Sequence, residues 1–145
     1  MSEQLEFYLA RLRDGEDVLC RLLDLDAADP AVLPRLAAEF DREPARDVRA
    51  ALLEVIWQTR DPRAIPVLDR ALADPAPKVW KEALDGLVAV FGPEAITVLE
   101  TALARATGER AEWIAEALDP ARDAELTRSP AVATNGASFS RSRSE

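Results

Sequence analysis

The sequence has no histidine, one cysteine, one methionine and few aromatic residues, 6% in all. Without histidine it lacks the commonest general base and the commonest transition-metal ligand. Cys20 alone supports neither a Cys/His zinc site nor an intramolecular disulfide, which fits a reducing compartment. The five glycines are scattered, so no glycine-rich phosphate loop is present. No run approaches the ~20 apolar residues of a membrane span. Met1 is not followed by an apolar segment, so a cytoplasmic protein without a signal peptide is expected. No catalytic, cofactor-binding or metal-ligating residue is expected, and no cofactor.

What is present is helix-forming and acidic. At 145 residues and 48% hydrophobic, the chain suits one globular domain rich in Ala, Leu, Arg, Asp and Glu. The net charge is −9. Residues 120–145 carry four arginines against Asp123, Glu125 and Glu145, a balance of +1 that leaves −10 on residues 1–119. So acidic a body repels phosphate backbones and favours basic partners. The segment from Pro120 is rich in Ser, Ala, Thr and Arg and is expected to be a disordered tail. Arginine outnumbers lysine sixteen to two, a bias associated with GC-rich bacterial coding.

The body is repetitive. Asp29-Pro30-Ala31-Val32-Leu33-Pro34-Arg35-Leu36 aligns with Asp61-Pro62-Arg63-Ala64-Ile65-Pro66-Val67-Leu68 and with Gly92-Pro93-Glu94-Ala95-Ile96-Thr97-Val98-Leu99, at offsets of 32 and 31. Asp29 and Asp61 are suited to cap a helix, with Pro30, Pro62 and Pro93 at the first helical position. Pro34 and Pro66 fall one turn later and should loosen that turn. A second helix follows each first one. The stripes Val48, Leu52, Val55, Ile56 and Val79, Ala83, Leu87, Val90 have helical spacing. The pattern predicts eight helices in four pairs: 3–13 with 17–26, 30–41 with 46–59, 62–73 with 77–91, and 93–106 with 109–118. Pairs of this kind bury their apolar faces by stacking on neighbours.

The segment Asp74-Pro75-Ala76-Pro77-Lys78-Val79, followed by Ala83, Leu84 and Leu87, resembles the HEAT-repeat consensus. So does Val48-Arg49 followed by Ala51, Leu52 and Ile56. The Ala/Ile-Pro-x-Leu openings look like the bacterial, phycobilisome-lyase-type branch. The resemblance covers about residues 15–118. It implies an all-α, right-handed α-solenoid, with residues 1–119 as the repeat domain and the second helices lining a concave face. Some HEAT-repeat enzymes resembling this branch bind a di-iron centre through His-Glu pairs, which this chain does not have. The family often has Arg after the leading Val of the second helix. Arg49 keeps it, whereas Trp80 and Ala111 replace it. Trp57 and Val88 stand where a small residue is usual.

Aligning the second helices gives one all-acidic column: Asp24, Glu54, Asp85 and Glu116. A stack would set these acids in a row at about 10 Å intervals. A solvated face that only keeps the protein soluble gives the same column. Trp57, Trp80 and Trp113 also lie on second helices. Tryptophan packs between repeats and also anchors interfaces. Trp80, in place of the ladder arginine, is the expected exposed anchor, and Trp113 the one most suited to packing. The expected partner-binding set is Asp24, Arg49, Glu54, Trp57, Trp80, Lys81, Asp85, Glu112 and Glu116. The function expected is non-enzymatic binding of a protein with a basic surface, of the immunity or antitoxin type. The alternative is an accessory or chaperone protein of the phycobilisome-lyase-like kind, and a nucleic-acid enzyme comes third. Neither nucleic acid nor membrane is an expected partner, and the chain is read as a monomer or weak dimer.

Overall fold

A computed structural model describes residues 2–90 and 92–128, with side chains described for residues 3–90 and 92–119. Two compact units divide the chain, residues 1–90 and residues 91–145. Among the described residues there are eight α-helices and no strand. The first unit holds α1 (Ser2–Arg13), α2 (Leu19–Ala28), α3 (Val32–Arg42), α4 (Arg46–Gln58), α5 (Ile65–Ala71) and α6 (Pro77–Val90). The second holds α7 (Pro93–Arg105) and α8 (Gly108–Arg128).

Each helix of the first unit buries residues spaced three or four apart. They are Leu5, Leu9 and Leu12 on α1, Leu33, Leu36 and Phe40 on α3, Leu52, Val55 and Ile56 on α4, and Val79, Ala83 and Leu87 on α6. Leu22, Leu36, Leu53, Ile56, Leu68 and Leu87 are fully buried, each contributing roughly 1.5–3 kcal/mol. Helix α4 lies at the middle of the unit, against α2 on one side and α6 on the other. Helices α3 and α5 back onto α4 and α6. The second helices thus form one layer and the first helices the layer behind it. In the second unit α7 packs on α8, and Ala95, Leu99, Ile114 and Leu118 are buried.

The helix starts follow the capping chemistry with one adjustment. The Asp61 carboxylate accepts the Arg63 N–H at 2.9 Å. The turn that opens there, Pro62–Ala64, is 3-10 rather than α. Asp29 likewise accepts the Ala31 N–H at 3.0 Å, and α3 is regular only from Val32. Pro66 and Pro34 explain both, because each removes a bond to the carbonyl four residues back. Helix α1 ends on Gly15, at φ +88°. There the Gly15 and Glu16 N–H groups return to the Leu12 and Arg11 carbonyls.

One boundary differs from the sequence reading. Helix α8 does not stop near Leu118 but continues through Pro120 to Arg128. The expected tail therefore begins as helix, because Ala115, Glu116, Ala117 and Leu118 before Pro120 and Ala121, Arg122, Ala124, Glu125 and Leu126 after it are good helix formers on either side of a single lost backbone bond. Residues 129–145 of that tail lie outside the described residues.

Candidate protein-binding face

The layer formed by α2, α4 and α6 carries three of the four acids in the column. Asp24, Glu54 and Asp85 are all exposed. Among the described residues, none of the three carboxylates takes part in an ion pair or a side-chain hydrogen bond. The fourth, Glu116, is exposed on α8 in the second unit, as is Glu112.

Between α4 and α6 the helices approach closely. A β-carbon on Gly86 would lie 2.8 Å from the Trp57 Cβ and Cγ, so only glycine fits beneath that indole. Trp57 is half-buried, and its Nε1–H donates to Glu82 Oε2 at 2.8 Å. Burial pushes the Glu82 carboxyl above its ordinary range, the Trp57 bond opposes this, and the charges of Glu54 and Asp85 add to the rise. Glu54, Glu82 and Asp85 thus share one field around a tryptophan. The Arg60 guanidinium lies over the indole, 5.4 Å from its centre, and donates to the Ala89 carbonyl at 3.3 Å. Arg60 is the one non-glycine residue with positive φ among the described residues, at 59°.

Two members of the expected set, Trp80 and Arg49, are placed differently. Trp80 is buried, at 3% exposure, and is not an exposed anchor. The reason lies in the position itself. Arg49, one repeat earlier, does not face solvent either: it grips Asp74 at 2.9 and 3.1 Å and the Glu43 and Pro44 carbonyls at 3.1 and 2.8 Å. That position points into the packing, so Trp80 is core and Arg49 belongs to an internal ion pair. Trp113 shows the reverse, with 40% exposure on α8. Lys81 is half-exposed, its Nζ 5.5 Å from the Trp80 ring centre.

Glu82, Gly86 and Arg60 are absent from the sequence-based set. Gly86 could have been found, since a glycine inside a helix costs about 1 kcal/mol against alanine and implies a close contact. Glu82 carries no such signal, because its proximity to Trp57 depends on how α4 and α6 pack.

The first-helix layer is built differently. Glu39 on α3 is buried and accepts from Arg13 at 2.6 Å, Arg35 at 2.9 Å and Arg42 at 2.7 Å. Burial opposes its ionisation, yet the guanidiniums, Arg35 foremost, hold its carboxyl below the usual range. Arg35 also pairs with Glu6 on α1, and Arg70 on α5 with Asp41 on α3 at 3.1 Å.

An all-α chain of paired helices repeating every 30–32 residues, with a ladder of ion pairs between repeats, is the architecture of an α-solenoid. The family model described as HEAT repeats matches residues 33–119. The chain belongs to the HEAT-repeat family. Such repeats commonly mediate protein–protein interaction, and the family is typically a non-catalytic scaffold. No curated protein matches the chain. No helix among the described residues is long and apolar enough to cross a membrane.

Proposed function

We propose that this chain is a non-enzymatic binding module whose α2–α4–α6 face takes up a protein with a basic surface. The observation that carries this is that Asp24, Glu54 and Asp85 are exposed and, among the described residues, without side-chain partners in a protein that pairs Glu6, Glu39, Asp41 and Asp74 with arginine. Unpaired acids that repel one another do nothing for folding, and a cationic partner would neutralise them. Trp57 supplies the aromatic surface, with Glu82 fixing its ring. An immunity- or antitoxin-type inhibitor of a basic toxin is one form of this reading. The resemblance of the Ala/Ile-Pro-x-Leu openings to the bacterial, phycobilisome-lyase-type branch makes an accessory role in protein maturation the second form. Both act in the cytoplasm and use the same face.

The test is affinity capture from the source cells with the wild type and with Glu54→Lys/Asp85→Lys, read by mass spectrometry. Both baits should have equal helicity by circular dichroism. The wild type should retain a basic protein that the double variant loses. Capture of the same proteins by both baits would falsify the acidic-face reading.

A further inference from the structure

Beside Glu54 the first unit has a small open groove of about 230 Å³, where the turn between α1 and α2 meets α4. Its buried lining is apolar: Leu12 and Val18 from one side, Val55 from the other, with half-buried Ala51 between. Its exposed lining is acidic: Glu16, Asp17 and Glu54. The Schellman turn at Gly15 positions Glu16 and Asp17 on this edge, because α1 must stop there for the chain to reach Val18.

We propose that this groove receives one long cationic side chain, a lysine or arginine, of the partner protein. The inference rests on the binding-face reading and specifies its anchor point. Size and chemistry both argue for that occupant. The groove is smaller than the roughly 300–1,000 Å³ of small-molecule pockets, so it suits one side chain. A lysine or arginine has an apolar stem and a charged head, which matches an apolar floor under an acidic rim. The rim also selects where the head goes. Glu16 is engaged by Arg11 at 2.7 Å, and the Asp17 carboxylate accepts the Leu19 N–H at 3.2 Å. Glu54 has no side-chain partner among the described residues, so it is the acceptor left for an incoming cation. Glu54 also belongs to the open face, so the groove is continuous with the proposed contact surface.

The test compares octalysine with the octamer of 2,4-diaminobutyrate, which has the same number of amines on stems two methylenes shorter. Both are titrated into the full chain by calorimetry and followed by amide chemical shifts. Octalysine should bind about tenfold tighter, the value of burying two further methylenes. It should shift the amides of Gly15, Leu19, Ala51 and Val55. Ala51→Leu, which fills the groove without altering charge, should bring the two peptides to equal affinity. Should that variant not fold, the stem-length comparison and the shift map on the wild type decide alone. Equal affinities, with shifts confined to Asp24, Glu54 and Asp85, would overturn the groove and leave the acidic face standing. Binding of neither peptide would overturn both.

Discussion

On α3, Glu39 is 7% exposed and takes hydrogen bonds from three arginines, while on α4 Glu54 stands exposed with no side-chain partner. The same contrast separates the two layers more widely. Glu6, Glu39 and Asp41 on the first helices are tied to arginines of neighbouring helices. On the second helices Asp47 pairs with Lys78 at 2.9 Å, whereas Asp24, Glu54 and Asp85 have no such partner among the described residues. Glu3 and Asp69 are also exposed on first helices without side-chain partners among the described residues, whereas Glu54 and Asp85 act together on Glu82. The difference teaches which charges the fold needs. Ion pairs that bridge repeats hold the stack in register, and the open acids are free of that duty.

The largest effect should come from breaking a half-buried bridge. Arg49 is 16% exposed and Asp74 10%, and Asp74 also accepts the Ala76 N–H at the start of α6. Asp74→Ala strands a guanidinium whose remaining acceptors are two carbonyls. It should lower stability by about 3 kcal/mol in urea unfolding, the low end for removing one partner of a buried pair. Glu54→Ala in the same assay should stay within about 0.5 kcal/mol. Similar losses for the two would erase the distinction between bridging and open acids.

A second break acts on the contact that holds Trp57 in the open layer. Gly86→Ala improves helix propensity by about 1 kcal/mol but drives a methyl group into the Trp57 Cβ. A Cβ is anchored to its backbone and cannot swing away, so α4 and α6 must separate. Overpacking of this kind costs about 1–3 kcal/mol, so a net loss of up to about 2 kcal/mol is expected. A shift in Trp57 indole NH resonance should accompany it, since the Glu82 bond at 2.8 Å depends on the same spacing. A stabilised variant with an unmoved indole signal would show that the close approach is not needed.

Much of this was legible in the chain. The 30–32 residue period, the Asp-Pro starts and the apolar stripes place seven of the eight helices to within a few residues, because capping and burial are local and periodic. The acids at Asp24, Glu54 and Asp85 were legible as a column for the same reason. The tryptophans were not. Exposure of Trp80 or Trp113 depends on which way one residue of a helix turns relative to its neighbours, and a shift of one position is about 100° of rotation. An outward Trp80 follows only if the arginine it replaces points outward, and Arg49 faces inward to Asp74. Pro120 reads as a stop in the sequence, yet one proline amid strong helix formers does not end α8.

The open acids should be removable without loss. Asp24→Asn with Glu54→Gln and Asp85→Asn deletes three charges that make no bridge and relieves repulsion in an acidic body. The melting temperature should be unchanged or rise by about 1–3 °C. A fall of several degrees would mean that these side chains stabilise the fold, and the contrast between the layers would fail.

The smallest effect, and the finest test, is one of sign with pH. The Glu39 carboxyl sits below its ordinary range and that of Glu82 above it. For Glu39 the folded form holds its proton less tightly than the unfolded chain. Its contribution is full above the unfolded value of about 4.3 and is lost as pH falls through the lowered folded value. For Glu82 the order is reversed. Ionised in the fold, it opposes stability at neutral pH, and that opposition fades as pH falls through the raised folded value toward about 4.3. Glu82→Gln keeps an acceptor for the Trp57 Nε1–H and removes the charge. It should therefore raise the melting temperature by about 1–2 °C at neutral pH and by nothing near pH 4. Glu39→Gln should do the opposite, costing most at neutral pH and progressively less in acid. Parallel pH profiles for the two variants would mean that the layers do not differ in how they hold charge.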